Sequence, residues 1–234
     1  MAPVSFKGVF PIVITPFDDK ENIDLESFDR IIRFMGSIGA DGVTILGVLG
    51  ESNRLTDNER EALTQTAVAA SDGLPIIVGT NHPGTHATCD LSQMAEALGA
   101  AGVMVTPSRE AVPNPERIFE YFQRVAQAIS IPIVAQDHPA STQVHMALPL
   151  VLRLLNEIPQ IACIKQEATP TPPKTRALIA QMPTGRATIL TGLGALYGQY
   201  DLESGADGFM DRLRLPRGAA SPRARPQRRA TRTG

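Results

Sequence analysis

One lysine stands inside an otherwise apolar run, "IACIKQEATP" at residues 161–170, and the chain has only three others, Lys7, Lys20 and Lys174. An ammonium group there either ends a strand and reaches solvent along its apolar stem, or supplies an amine where water is scarce. Other chemistry-bearing types are sparse. His82, His86, His138 and His145 form no HExxH pattern, and Pro83 and Gly84 place the His82/His86 pair on a loop, so no metal site is expected. Cys89 and Cys163 are too few for a disulfide framework and lack metal-ligand spacing.

The elements that must position Lys165 follow from periodicity. Short apolar, β-branched runs at 8–14, 42–47, 75–79, 102–106, 132–136, 161–165, 187–191 and 207–210 predict eight strands. Longer amphipathic runs at 25–38, 56–71, 86–98, 114–129, 145–156, 172–181 and 194–203 predict seven helices between them. Thr56-Asp57-Asn58-Glu59 has the capping-box pattern that starts a helix. "GADGV" at 39–43, "GAAGV" at 99–103 and "GADGF" at 205–209 each end a helix on glycine and open a strand. Near-continuous apolar strands argue for parallel pairing with both faces covered. Alternation of this length predicts an α/β fold, a (β/α)8 TIM barrel. A doubly wound open sheet is second, because no strand is followed by GxGxxG or a phosphate loop.

In a barrel, chemistry gathers at the C-terminal strand ends. Gly47, Thr106, Gln136 and Lys165 fall there. Period-two alternation sets Cys163, Lys165 and Glu167 on one face and Ile164 and Gln166 on the other. An inward Lys165 above the small Cys163 has room for its length, which puts the solvent-facing reading second.

Charge divides the chain. Residues 212–234 hold eight arginines and no acid, whereas the preceding 211 residues hold all 24 acids and 14 bases, a net −10. The expected organisation is a barrel domain over 1–211 and a basic Arg/Pro/Ala-rich tail over 212–234, disordered by composition. Such a tail is also what a shifted reading frame of a GC-rich gene yields, and a frameshift is preferred here to an evolved nucleic-acid-binding arm. No run approaches a membrane span, and the start lacks a signal-peptide pattern, so a cytoplasmic protein is expected.

"GVFPIVITPFD", "GVLGESNRLTDNER" and "IACIKQEA" together resemble the dihydrodipicolinate synthase/N-acetylneuraminate lyase family of class I aldolase-type barrels, over about residues 7 to 210. The resemblance implies that Lys165 forms a Schiff base with pyruvate or another 2-oxo acid, without a cofactor. The chain would then be a lyase performing aldol cleavage, condensation or dehydration. It further implies that the backbone N–H groups of Val48, Leu49 and Gly50 cradle the substrate carboxylate, with Gly47 and Glu51 structural. Thr191 and Gly192 would line the pocket, and the family's usual assembly is a homotetramer. The resemblance stops at Asp211, so helix eight and the C-terminal helices are expected to be missing.

Three positions depart from the family pattern. Both hydroxyls of its Gly-Thr-Thr-Gly-Glu are gone at Val48 and Leu49, its Tyr-Asn-x-Pro reads Gln136-Asp137-His138-Pro139, and its arginine is Ser141. Gln136 can hydrogen-bond a carbinolamine but cannot titrate. His138, two residues on, is the expected proton carrier, and Arg109 the expected partner of a distal carboxylate. The losses argue against an authentic 4-hydroxy-tetrahydrodipicolinate synthase. An impaired or inactive homologue that only binds a 2-oxo acid is the alternative from another class.

Overall fold

The computed structural model describes residues 4–212. Eight parallel strands run β1 (Gly8–Val9), β2 (Val43–Ile45), β3 (Ile76–Gly79), β4 (Gly102–Val105), β5 (Ile133–Asp137), β6 (Ile161–Gln166), β7 (Thr188–Thr191) and β8 (Gly208–Phe209). Their order, β1-β8-β7-β6-β5-β4-β3-β2, is that of a sheet curling round on itself. The chain just past β1 closes it: Ile12 bridges Thr44, the Val13 N–H donates to Thr44 O at 3.0 Å, and the Thr44 N–H to Pro11 O at 2.8 Å. The fold is a TIM barrel.

Helices α1 (Leu25–Ser37), α2 (Asp57–Ala70), α3 (Thr85–Ala97), α4 (Pro115–Ala128), α5 (Pro139–Thr142), α6 (Leu148–Glu157), α7 (Thr171–Gln181) and α8 (Gly198–Glu203) connect the strands. Local chemistry fixes their starts. Asp24 accepts from the Ser27 N–H at 2.9 Å to cap α1. Thr56 and Glu59 form the expected reciprocal capping box on α2. Phe28, Ile32 and Met35 recur at helical spacing and bury one face of α1. The four-residue α5 was not expected, since one helical turn carries no apolar period. The last long helical run, expected over 194–203, is split into a 3₁₀ turn at Leu193–Ala195 and α8.

Two cores result. A large outer one lies between strands and helices, and a smaller inner one fills the barrel with Phe6, Phe10, Ile12, Ile77, Met104, Val134, Cys163, Leu190 and Met210. The glycine before β2 serves this packing: a Cβ on Gly42 would meet the Phe10 ring at 2.3 Å. On the β1/β8 side, Val9 is 43% exposed and borders, with Pro11, Phe209 and Arg212, a cavity of about 190 Å³. Arg212 itself still bridges Ile12. The expectations for a tail over 212–234 and for a missing helix eight lie, from residue 213 on, outside the described residues.

Candidate active site

A bulge decides where Lys165 points. Ile133 pairs with Ile161 but Val134 pairs with Cys163, so Ala162 is an extra residue in β6. Ile161 therefore packs in the outer core while Cys163, two residues on, lies in the inner one. From Cys163 upward the alternation is regular, and Lys165 turns inward opposite Gln136. Burial pushes the Cys163 thiol up to about 12, so it fills space beneath the lysine as a neutral side chain.

Lys165 is 2% exposed and its one ion-pair partner among the described residues is Glu167, with Nζ 3.1 Å from Oε2. The expected amine where water is scarce thus stands beside a buried carboxylate. Glu167 is itself 5% exposed and held from three sides. Gln136 Nε2 donates to Oε2 at 2.6 Å, the Leu193 N–H donates to Oε1 at 3.1 Å, and its own backbone N–H donates to Asp137 O at 3.0 Å. Burial raises the carboxyl pKa, but Lys165, then His138 and the bond from Gln136, outweigh it and hold the group below its ordinary value. Glu167 is thus ionised.

His138 stands at the edge of this group, its side chain 17% exposed, with Nδ1 4.0 Å from Glu167 Oε2 and 2.8 Å from Ser141 Oγ. It links the buried pair to the mouth of the barrel. Gly192 belongs to the site through absence of a side chain, because a Cβ there would lie 2.1 Å from Glu167 Oε1. Sequence parity had set Glu167 on the face of Lys165 without giving it a role. The signal available was its two-residue spacing, which carries only if β6 continues past Lys165, as it does to Gln166.

The segment after β2 makes a 3₁₀ turn over Val48–Gly50. The Gly50 N–H is spent on Gly47 O at 3.0 Å, which removes it from the expected carboxylate cradle. The N–H groups of Val48 and Leu49 have no backbone acceptor among the described residues. Glu51 does not brace the turn with its carboxylate, which pairs with Arg54 at 2.9 Å on the surface. Thr15 and Arg60 do so instead: Thr15 Oγ1 donates to Gly50 O at 2.7 Å, and the buried Arg60 donates to Ser52 O at 2.5 Å and Asn81 O at 3.3 Å. Thr191 is also corrected. Leu190 pairs with Lys165 and faces inward, so Thr191 faces outward and donates to Asp201 Oδ2 at 2.5 Å.

Beside the mouth lies a cavity of about 540 Å³ whose wall includes Val48, Asn81, His82, Thr106, Arg109 and Ser141. Its described lining contains no acid. Arg109 is exposed and has no ion-pair partner among the described residues. Lys165, Gln136 and His138 are thus brought together, Arg109 and Thr106 stand apart on the cavity wall, and Thr191 is excluded.

A buried lysine–glutamate pair thus stands at the C-terminal strand ends, the end of such a barrel where active sites lie. Comparison with known proteins agrees at the level of the family: the model of the dihydrodipicolinate synthetase family matches residues 5–210, and the chain belongs to that family. L-2-keto-3-deoxyarabonate dehydratase of Azospirillum brasilense is 38% identical, over 87% of this chain and 67% of that protein. A 4-hydroxy-tetrahydrodipicolinate synthase of Persephonella marina is 36% identical, over 82% of this chain and 64% of the relative. The chain therefore spans about two thirds of the length of these relatives. A crystal structure of dihydrodipicolinate synthase from Rhodopseudomonas palustris superposes with a TM-score of 0.83 at 32% identity, covering 91% of this chain and 72% of that one. The named relatives thus include synthases and a dehydratase.

Proposed function

We propose that this chain acts on a 2-oxo acid through a Schiff base at Lys165, and that its reaction is the dehydration of a 3-deoxy-2-oxo sugar acid. The observation that carries the reading is the buried Lys165–Glu167 pair with Gln136 on the same carboxylate. Glu167 accepts the ammonium proton, which frees the amine to attack the C2 carbonyl, and returns it as the carbinolamine loses water. The iminium then acidifies C3–H. Ionised again, Glu167 removes that proton, and the enamine electrons expel the C4 hydroxyl, which leaves as water once protonated. Hydrolysis of the conjugated iminium restores Lys165. Val48 and Leu49 offer N–H groups to the carboxylate, and His138 with Ser141 passes protons to solvent.

Two further facts support dehydration over dihydrodipicolinate synthesis. Ser141 stands where the synthases place an arginine for the second substrate, and the Azospirillum relative is named a dehydratase. Arg109 and His82 would face the far end of the acid. The decisive experiment is reduction with borohydride in the presence of pyruvate, read by mass spectrometry. A peptide containing Lys165 should gain the adduct, Lys165→Ala should lose it, and Lys7→Ala should retain it. An adduct that persists in Lys165→Ala removes the mechanism.

A further inference from the structure

Asn81, in the loop after β3, and Thr106, just past β4, line the acid-free cavity together. Their mutual bonds fix what each has left to offer. The Thr106 N–H donates to Asn81 Oδ1 at 2.6 Å, and Thr106 Oγ1 donates to the same oxygen at 3.0 Å. A backbone N–H can only donate, so the oxygen of the amide must be the atom that faces it, and the orientation of Asn81 is determined rather than free to flip. Its backbone carbonyl is held in turn by the buried guanidinium of Arg60.

Two functional groups remain. Asn81 Nδ2 has no protein acceptor among the described residues, and Thr106 Oγ1, having spent its proton, keeps its lone pairs. The first is a donor and the second an acceptor, side by side on one wall. From this geometry we infer that Asn81 and Thr106 form a hydroxyl-reading subsite, which selects substrates with an alcohol group on the carbon chain beyond the reacting carbonyl. An alcohol accepts from Nδ2 through its oxygen and donates to Oγ1 through its proton. A carboxylate satisfies only the donor, and an alkyl chain satisfies neither and leaves both desolvated. The inference rests on the 2-oxo acid reading of the site for the identity of the substrate's other end.

The test is calorimetric and does not depend on covalent chemistry. In a Lys165→Met background, where neither turnover nor capture contributes, binding of 3-deoxy-2-oxopentonate is compared with that of hydroxyl-free 2-oxopentanoate. Two neutral hydrogen bonds predict about a ten- to hundredfold preference for the hydroxylated acid. N81D keeps the acceptor for Thr106 and turns the donor into a second acceptor that competes with Oγ1 for the alcohol's one proton, so it should lower the preference, and T106V should bring it to within a few-fold of one. T106S should retain it. Because the ratio of two affinities is read, a general loss of binding cancels. No preference, or one that survives N81D and T106V, overturns the subsite. Absence of a borohydride adduct in the lysine-intact chain, with the preference intact, overturns the Schiff-base reading while supporting this one.

Discussion

Glu167 is the residue on which a titration should report. Its carboxyl is held below the ordinary carboxylate range by Lys165, His138 and Gln136 against the effect of burial. If it must be ionised to accept protons, the acid limb of the rate profile lies below about pH 4.3, the usual glutamate value. Removing the positive field of His138 raises the Glu167 pKa, so His138→Asn should shift that limb to higher pH as well as slow turnover. Glu167→Gln should cost roughly 10²–10⁴ in turnover, the range for general acid–base groups. A His138→Asn profile that coincides with wild type would detach His138 from the carboxylate. The same depressed pKa contributes stability that is present above the unfolded value and lost as pH falls through the folded one. Lys165 was legible in the sequence because the alternation from Cys163 to Glu167 is a local property, and Gln136 because it falls at the C-terminal end of its strand. Thr191 was not, since a one-residue difference at a strand end exchanges faces.

Between elements, the mouth depends on a buried ion pair outside the barrel interior. Asp137 at the end of β5 is fully buried and bonded to Lys174 of α7, whose Nζ also donates to Met146 O at 2.6 Å. Burial raises the Asp137 carboxyl pKa against the pull of Lys174. The pair ties β5 to α7 next to Gln136, His138 and the backbone of Glu167. Lys174→Met should leave an unpaired buried carboxylate and cost about 3–5 kcal/mol, measured by denaturant unfolding. The double variant Asp137→Asn/Lys174→Met should recover most of that loss. Equal stability of single and double variants would show that the pair is not coupled. The strands and long helices were readable from periodicity, but this clamp was not, because its partners lie 37 residues apart. The 3₁₀ turns and α5 escaped for a different reason: three or four residues cannot display a period.

Across the whole molecule, pairing is uneven. β5 and β6 share five register positions and β1 and β8 share two, while β2 is reached from the chain just past β1, where Ile12 bridges Thr44. Amide exchange should therefore be fastest among the described strands at Gly8–Val9 and Gly208–Phe209, and slowest along Ile161–Gln166. Uniform protection around the barrel would contradict this. The proposed chemistry is carried by the best-paired strands, away from the weak seam. The bulge at Ala162 adds one more consequence. A barrel distinguishes inside from outside by counting residues, and the count in β6 is reset at a single alanine whose own side chain does nothing chemical. Were β6 to keep its length and run without the bulge, an outward Ile161 would force Lys165 and Glu167 outward as well, so in this strand a position with no chemistry of its own governs where the chemistry occurs.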